Sequence, residues 1–388
     1  MRKPVLTLTA TALAAVPLFA ACTENAPAAG DDKGDPRSIT VAATADACKL
    51  SATSAPAGKL TFDVTNTGSQ VTEFYLLGAD GLTIKAEIEN IGPSISRKLT
   101  VNAAAGKYVT ACKPGMKGDG IRSDFTVEKS SDAPTVSADQ QQQIATAVSN
   151  YQAYVKDQSD QLLDATQRFV DLYKSGQDDQ ARALYAQARL HWERIETVAE
   201  SFGDLDPKTD AREADLEPGQ KWTGWHRIEK DLWPPAGYKQ LSTAERATYA
   251  DDLMANVTTL HSRIPGLTFT VDQIANGSRG LLEEVASGKV TGEEEIWSHT
   301  DLWDFQANVD GARVGWEGVK PIVQAKDPQL ALQLDQRFTA LQKLLDQQKA
   351  GDGFVSYDKV GDADKKALSD AVNALSEPLS RLTAAVLS

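Results

Sequence analysis

Polar and apolar positions alternate along this chain with two different periods, and the change falls near residue 130. Between Thr40 and Val127 apolar residues recur at every second position in short runs: Leu60-Thr-Phe62-Asp-Val64, Val71 to Leu77, Ile84 to Ile88, Ile95 to Val101, Lys107 to Ala111 and Phe125-Thr-Val127. Turn residues such as Asn66-Thr-Gly68 and Gly78-Ala-Asp80-Gly81 separate the runs. Six or more short strands at this spacing predict a β sandwich or barrel. A Ser/Pro/Asp-rich stretch then leads to Asp139, after which apolar residues follow the helical period. Ile144, Val148, Tyr151, Val155, Leu162, Phe169 and Leu172 fall on one stripe of a long helix. Further helices are expected over roughly 178–200, 222–231, 243–263, 271–288, 300–319, 327–349 and 363–386. The two halves of this region meet near residue 265, and each could form a bundle.

The first residues predict export. Met1-Arg2-Lys3 supplies positive charge, and the apolar run from Val5 ends at Ala20-Ala21-Cys22, the plan of a signal peptide. The run is too short for a comfortable membrane span. Leu18-Phe19-Ala20-Ala21-Cys22 resembles a bacterial lipobox, with Phe19 where Leu, Val or Ile is usual. The resemblance implies lipidation at Cys22, with ordinary cleavage nearby as the alternative. The expected organisation is a signal peptide over 1–21, a flexible tether over 22–38, a β domain over 39–128, a linker over 129–139 and a helical domain over 140–388. Either form of cleavage places the protein outside the cytoplasm, and a lipidated Cys22 would make it a cell-membrane lipoprotein.

Composition agrees with folded, acidic domains. Of 388 residues, 41% are hydrophobic and 24% charged, which excludes wholesale disorder. Removing residues 1–21 leaves 38 basic against 54 acidic residues, moving the formal charge from −14 to −16. Such a surface repels phosphate backbones and anionic bilayers and concentrates cations, so nucleic-acid binding is not expected.

Two sets of residues carry candidate chemistry. In the β region, Cys48, Cys112 and Met116 tempt a blue-copper reading, but all four histidines (191, 226, 261 and 299) lie in the helical region, and such a site needs two imidazoles. Cys48 and Cys112 therefore either form a disulfide or, with Glu73 and Met116 as candidate partners, a thiolate metal site. In the helical region, His226 and Glu229 stand three residues apart on one helix face, a spacing that can grip one metal ion. Partners could come from His191-Trp-Glu193-Arg-Ile-Glu196, from the loop holding Asp206 and Asp210, or from Glu293-Glu-Glu295-Ile-Trp-Ser-His299-Thr-Asp301-Leu-Trp-Asp304. Imidazole with carboxylates suits Fe²⁺ or Zn²⁺. An HxxE pair is also a common surface pairing, and His261 has no acidic neighbours and reads as structural.

The run from Trp192 to Arg212, the motif Gly224-Trp-His226-Arg-Ile-Glu229-Lys and the segment Ser298 to Asn308 resemble the imelysin-like domain of the EfeO family. Val71-Thr-Glu73-Phe, Glu89-Asn-Ile-Gly-Pro93 and Gly106-Lys-Tyr-Val-Thr-Ala-Cys112 resemble the cupredoxin-like domain that precedes it in the longer members. The resemblance covers about residues 40–388. It implies two domains, an N-terminal all-β cupredoxin-like sandwich and an all-α imelysin-like helical bundle. It also implies capture of iron, Fe²⁺ or Fe³⁺, outside the membrane for an iron permease, with a haem peroxidase partner. Zinc and copper are the other ions to consider. The implied ligands are His226, Glu229 and Glu193, then Asp206 or Asp210, with Glu196, His299 and Asp301 as further candidates. Cys48, Glu73 and Cys112 are the implied second site. No HExxH is present, so a zinc-dependent hydrolase of imelysin-peptidase type is the lesser alternative. The default oligomeric state is a monomer.

Overall fold

A computed structural model describes residues 35–131 and 137–388. The export segment, Cys22 and most of the tether lie outside the described residues. Asp35–Ser388 forms one compact unit, strands first and helices second.

Nine strands make two sheets. They are β1 (Ser38–Ala43), β2 (Cys48–Leu50), β3 (Ser54–Pro56), β4 (Gly58–Asn66), β5 (Thr72–Leu77), β6 (Ile84–Ile91), β7 (Ser96–Ala103), β8 (Gly106–Cys112) and β9 (Ile121–Glu128). The sheets run β2-β1-β4-β7 and β3-β9-β8-β5-β6. Alternation turns Leu60, Phe62 and Val64 of β4 inward, where the Phe62 ring lies 5.2 Å from Phe74 and 5.5 Å from Phe125 of the facing sheet. Cys48 on β2 and Cys112 on β8 are joined by a disulfide between the sheets, with Cα atoms 5.5 Å apart. The short β2 and β3 carry no periodic signal. Strand β5 is buried on both faces, its outer residues Tyr75 and Leu77 packing with Ala111, Val109 and Ile84 of the neighbouring strands.

The helices begin with α1 (Ala138–Lys174), α2 (Asp178–Glu193), α3 (Glu196–Glu200), α4 (Asp206–Thr209), which lies where a loop was expected, α5 (Trp225–Leu232), α6 (Thr243–Arg263), α7 (Val271–Ser287), α8 (Asp301–Lys326) and α9 (Pro328–Asp346). A two-stranded ribbon, β10 (Lys349–Ala350) with β11 (Gly353–Phe354), precedes α10 (Asp362–Leu379) and α11 (Leu382–Val386). Two differences from expectation matter. The helices share one hydrophobic core from Ala147 to Val386 and do not divide into two bundles at residue 265. The helix expected over 178–200 breaks after Glu193, where Asn308 of α8 takes the freed Glu193 carbonyl at 2.8 Å.

The sheets and helices meet along α7. Asp272 accepts the Asn102 backbone N–H at 2.8 Å, Asn276 donates to the Thr100 carbonyl, and Glu283 pairs with Arg97 at 2.9 Å. No helix of the described residues is long and apolar enough to cross a membrane.

Candidate metal centre

The HxxE helix is seated by a glycine. Gly224 caps α5 with φ +87°, and a Cβ there would come within 2.1 Å of the Thr209 carbonyl oxygen. Only glycine lets the two backbones approach so closely. The approach brings His226 and Glu229, both fully buried, against Asp210 just beyond α4.

His226 presents both nitrogens to carboxylates. Nδ1 lies 3.3 Å from Glu229 Oε2 and 3.9 Å from Glu295 Oε1; Nε2 lies 3.3 Å from Asp210 Oδ1 and 3.4 Å from Glu294 Oε1. Glu229 is itself fixed, because its Oε1 accepts the backbone N–H groups of Trp297 at 3.0 Å and Ser298 at 2.7 Å. An Nδ1–H donated to Glu229 leaves Nε2 free as a ligand, the usual arrangement of a metal-binding imidazole. Nε2 has no hydrogen-bond partner here.

Two permanent cations share the cluster. Arg189 on α2, wholly buried, touches Asp210, Glu193 at 2.7 Å, Glu294 at 2.8 Å, Glu295 at 2.7 Å and Asp304 at 3.4 Å. Lys289 pairs with Glu193 and Glu196, each at 2.8 Å. Seven carboxylates thus face these two buried cations, one imidazole and, at the edge, Arg212, which lies 3.7 Å from Glu294. If all seven were ionised beside a neutral imidazole, four negative charges would lack compensation, which no folded protein tolerates without protons or a further cation.

The protons are unevenly placed. Burial, then Glu229 and Asp304, pushes Glu295 well up; burial and Glu193 do the same to Asp304 and Glu196. Against its burial, Arg189 and His226 hold Asp210 down at about 2, and Lys289, His226 and Arg189 hold Glu294 well below the carboxylate range. The two oxygens facing Nε2 are therefore the ionised ones. Burial and Arg189 lower the His226 imidazole, but the carboxylates of Asp210, Glu229 and Glu294 around it outweigh them and keep it well up. An arriving cation would replace that proton.

Three residue groups offer ligand atoms close enough to share an ion: Asp210 with His226 and Glu294, His226 with Glu229 and Glu295, and Glu193 with Glu196 and Asp210. This set carries five of the expected helical-region residues. The other three fall outside it. Asp206 begins α4 with its side chain only partly buried, and Asp210 repels it, so that with burial it rises to about 7. His299 turns a corner at φ +58° and anchors the loop through its backbone, donating to Glu295 O and accepting from Tyr357 N. Asp301 positions Glu295 by accepting its N–H at 3.1 Å. His191 turns to Gln158, and His261 pairs with Asp160.

The second expected site is not formed. Cys48 and Cys112 spend their thiols on each other. Phe74 pairs with Cys112 across the strands, so alternation sends Glu73 to the opposite face of β5, where it accepts from Tyr75 Oη at 2.6 Å and sits 3.6 Å from Lys113.

The Imelysin family profile matches residues 147–382. The iron uptake system component EfeO of Escherichia coli is 37% identical over 347 residues, covering 89% of this chain and 90% of that protein. The EfeO protein of Shigella flexneri matches to the same extent. The chain belongs to the EfeO family of imelysin-domain proteins. Of the ligands that the EfeO resemblance implied, the structure brings together His226, Glu229, Glu193, Glu196 and Asp210. Sequence reasoning left out Arg189 and Lys289. Glu294, Glu295 and Asp304 stood in the acidic run from Glu293 to Asp304, but nothing in that run tells which carboxylates face inward.

Proposed function

We infer that the protein is an extracytoplasmic iron-binding component of an EfeO-type uptake system, collecting the ion and passing it to a membrane permease, with a haem peroxidase in the same system. The single observation that carries this reading is the buried cluster, in which ionised Asp210 and Glu294 oxygens face an imidazole nitrogen that has no hydrogen-bond partner and carboxylates outnumber cations. Iron in either oxidation state accepts such an oxygen-rich set with one nitrogen. In this reading His226 Nε2, Asp210 and Glu294 hold the ion, and Glu229 orients the imidazole. The disulfide supports an oxidising compartment, and lipidation at Cys22 would hold the protein at the membrane surface. Complete burial of His226, Glu229 and Glu295 favours cargo binding over zinc-dependent hydrolysis, since a peptide would have to enter a closed core.

The test is titration of the metal-free protein with Fe²⁺ under anaerobic conditions, and with an Fe³⁺ chelate in parallel. One tight site that disappears in His226→Ala while circular dichroism stays unchanged is the expected result. Wild-type protein that takes up neither ion would sink the reading.

A further inference from the structure

The two oxygens that face His226 Nε2 are also held by Arg189. Its Nη1 donates to Asp210 Oδ1 and its Nη2 to Glu294 Oε1 at 2.8 Å, the same atoms that stand 3.3 and 3.4 Å from the imidazole nitrogen. An ion bound by that nitrogen and those oxygens would meet a guanidinium charge a few ångströms away, in a site where water does not screen it. Cation and arginine therefore compete for one pair of carboxylates.

The surroundings offer the arginine somewhere else to settle. Both carboxylate oxygens of Glu193 and both of Asp304 are buried without a hydrogen bond, although each residue lies within ion-pair distance of the guanidinium. Arg189 Nε, 2.7 Å from Glu295, also lacks hydrogen-bond geometry. The guanidinium is spread over five carboxylates and fully bonded to few of them.

We propose that Arg189 is a built-in competitor of the bound ion: it neutralises Asp210 and Glu294 in the empty site and yields them to the metal by shifting toward Glu193 and Asp304. The inference rests on the iron reading above and adds how the site lets go. A cluster of this charge without the arginine would hold a cation too firmly for delivery, and after release would leave Asp210 without its guanidinium partner. With it, the empty state is stable and the affinity is set below its ceiling. Lys289 is not placed for this task, since it reaches only Glu193 and Glu196.

Anaerobic Fe²⁺ titration and chelator-stripping kinetics of the full chain, beside Arg189→Gln and Arg189→Lys, test the proposal. Arg189→Gln should bind Fe²⁺ about tenfold more tightly or better, and release it more slowly. Its metal-free form should melt earlier, and Fe²⁺ should raise its melting temperature by more than it raises that of the natural protein. An arginine that merely holds the fold would lower melting equally with and without Fe²⁺ and would not tighten binding. Equal or weaker binding by the glutamine variant overturns the proposal and leaves the iron site standing. Should that variant fail to fold, Arg189→Lys decides: its compact ammonium cannot span both oxygens, so tighter binding supports the competitor and equal or weaker binding overturns it. Absence of Fe²⁺ binding by the natural protein removes the iron reading itself, and the competitor with it.

Discussion

Two acidic regions of this molecule meet the same electrostatic problem with different means. In the helical core, carboxylates close around Arg189, Lys289 and His226. In the cleft between β6 and helices α3 and α7, Glu87, Glu89, Glu200 and Glu284 gather with Thr83, Gly280 and Phe269, and histidine is not among the described lining residues. Built-in cations keep Asp210 and Glu294 ionised in the core, whereas in the cleft burial and mutual repulsion raise Glu87 to about 8 and carry Glu89 and Glu200 well up. The core keeps Asp210 and Glu294 charged, while Glu87, Glu89 and Glu200 in the cleft are drawn toward their protonated forms. Ionised oxygens beside a nitrogen ligand make a cation site; protonated ones do not.

The sharpest way to break this contrast is to remove one lysine from the core and one from the β5 face beside the cleft, where Lys113 pairs with Glu73. Lys289 is 1% exposed and serves two buried carboxylates, so Lys289→Met should cost about 4 kcal/mol of stability, as breaking a buried pair does. Lys113, with a side chain 30% exposed, reaches only Glu73, which burial already pushes toward its protonated form. Lys113→Met should cost about 1 kcal/mol or less, since Glu73 can take up a proton. Urea denaturation of both variants measures the difference, and similar losses would mean that the two regions are compensated alike.

Geometry supplies the next effect. Gly224→Ala forces a Cβ against the Thr209 carbonyl at a backbone angle that glycine alone accepts easily, and should destabilise by roughly 2–3 kcal/mol while weakening iron binding. Swapping ligands separates the regions by function. Asp210→Asn with Glu294→Gln should weaken Fe²⁺ binding by about 100-fold, whereas Glu87→Gln with Glu89→Gln should change it by less than about twofold. A cleft variant that loses as much affinity as the core variant would move the ion to the interface.

Much of the fold was legible because burial imposes a period. The strands from Leu60 to Val127 and helices such as α6 and α7 present continuous apolar stripes, and the structure follows them within a few residues. The break after Glu193 was not legible, since the residues around it favour helix and the cause is Asn308, over a hundred residues away. The site was half legible. His226 and Glu229 announce themselves by spacing, and Glu193, Glu196 and Asp210 by the family motif. Arg189 sits in a helix like any solvated arginine, and Lys289 in Ser-Gly-Lys-Val-Thr-Gly reads as an exposed turn; only the fold turns both inward. The i,i+4 spacing of Arg189 and Glu193 was the one local hint.

The smallest effect is a pH dependence that runs opposite to that of a carboxylate held by a salt bridge. Asp301 stands at about 6, Asp206 at about 7 and Glu87 at about 8, each raised mainly by burial. A carboxyl whose folded pKa exceeds its unfolded one binds its proton more tightly when folded. Its contribution is complete below about pH 4 and is lost as the pH rises through the folded value. The metal-free protein should therefore melt progressively earlier between pH 5 and about 8, where these three groups ionise in the folded state. Glu87→Gln removes the group that titrates last and should flatten the upper part of the curve, between about pH 7 and 8, without altering the lower part. Fe²⁺ should shift the whole curve upward but leave that upper slope in place, because the ion sits in the core and Glu87 in the cleft. A slope that iron abolishes would join the two regions into one titrating system.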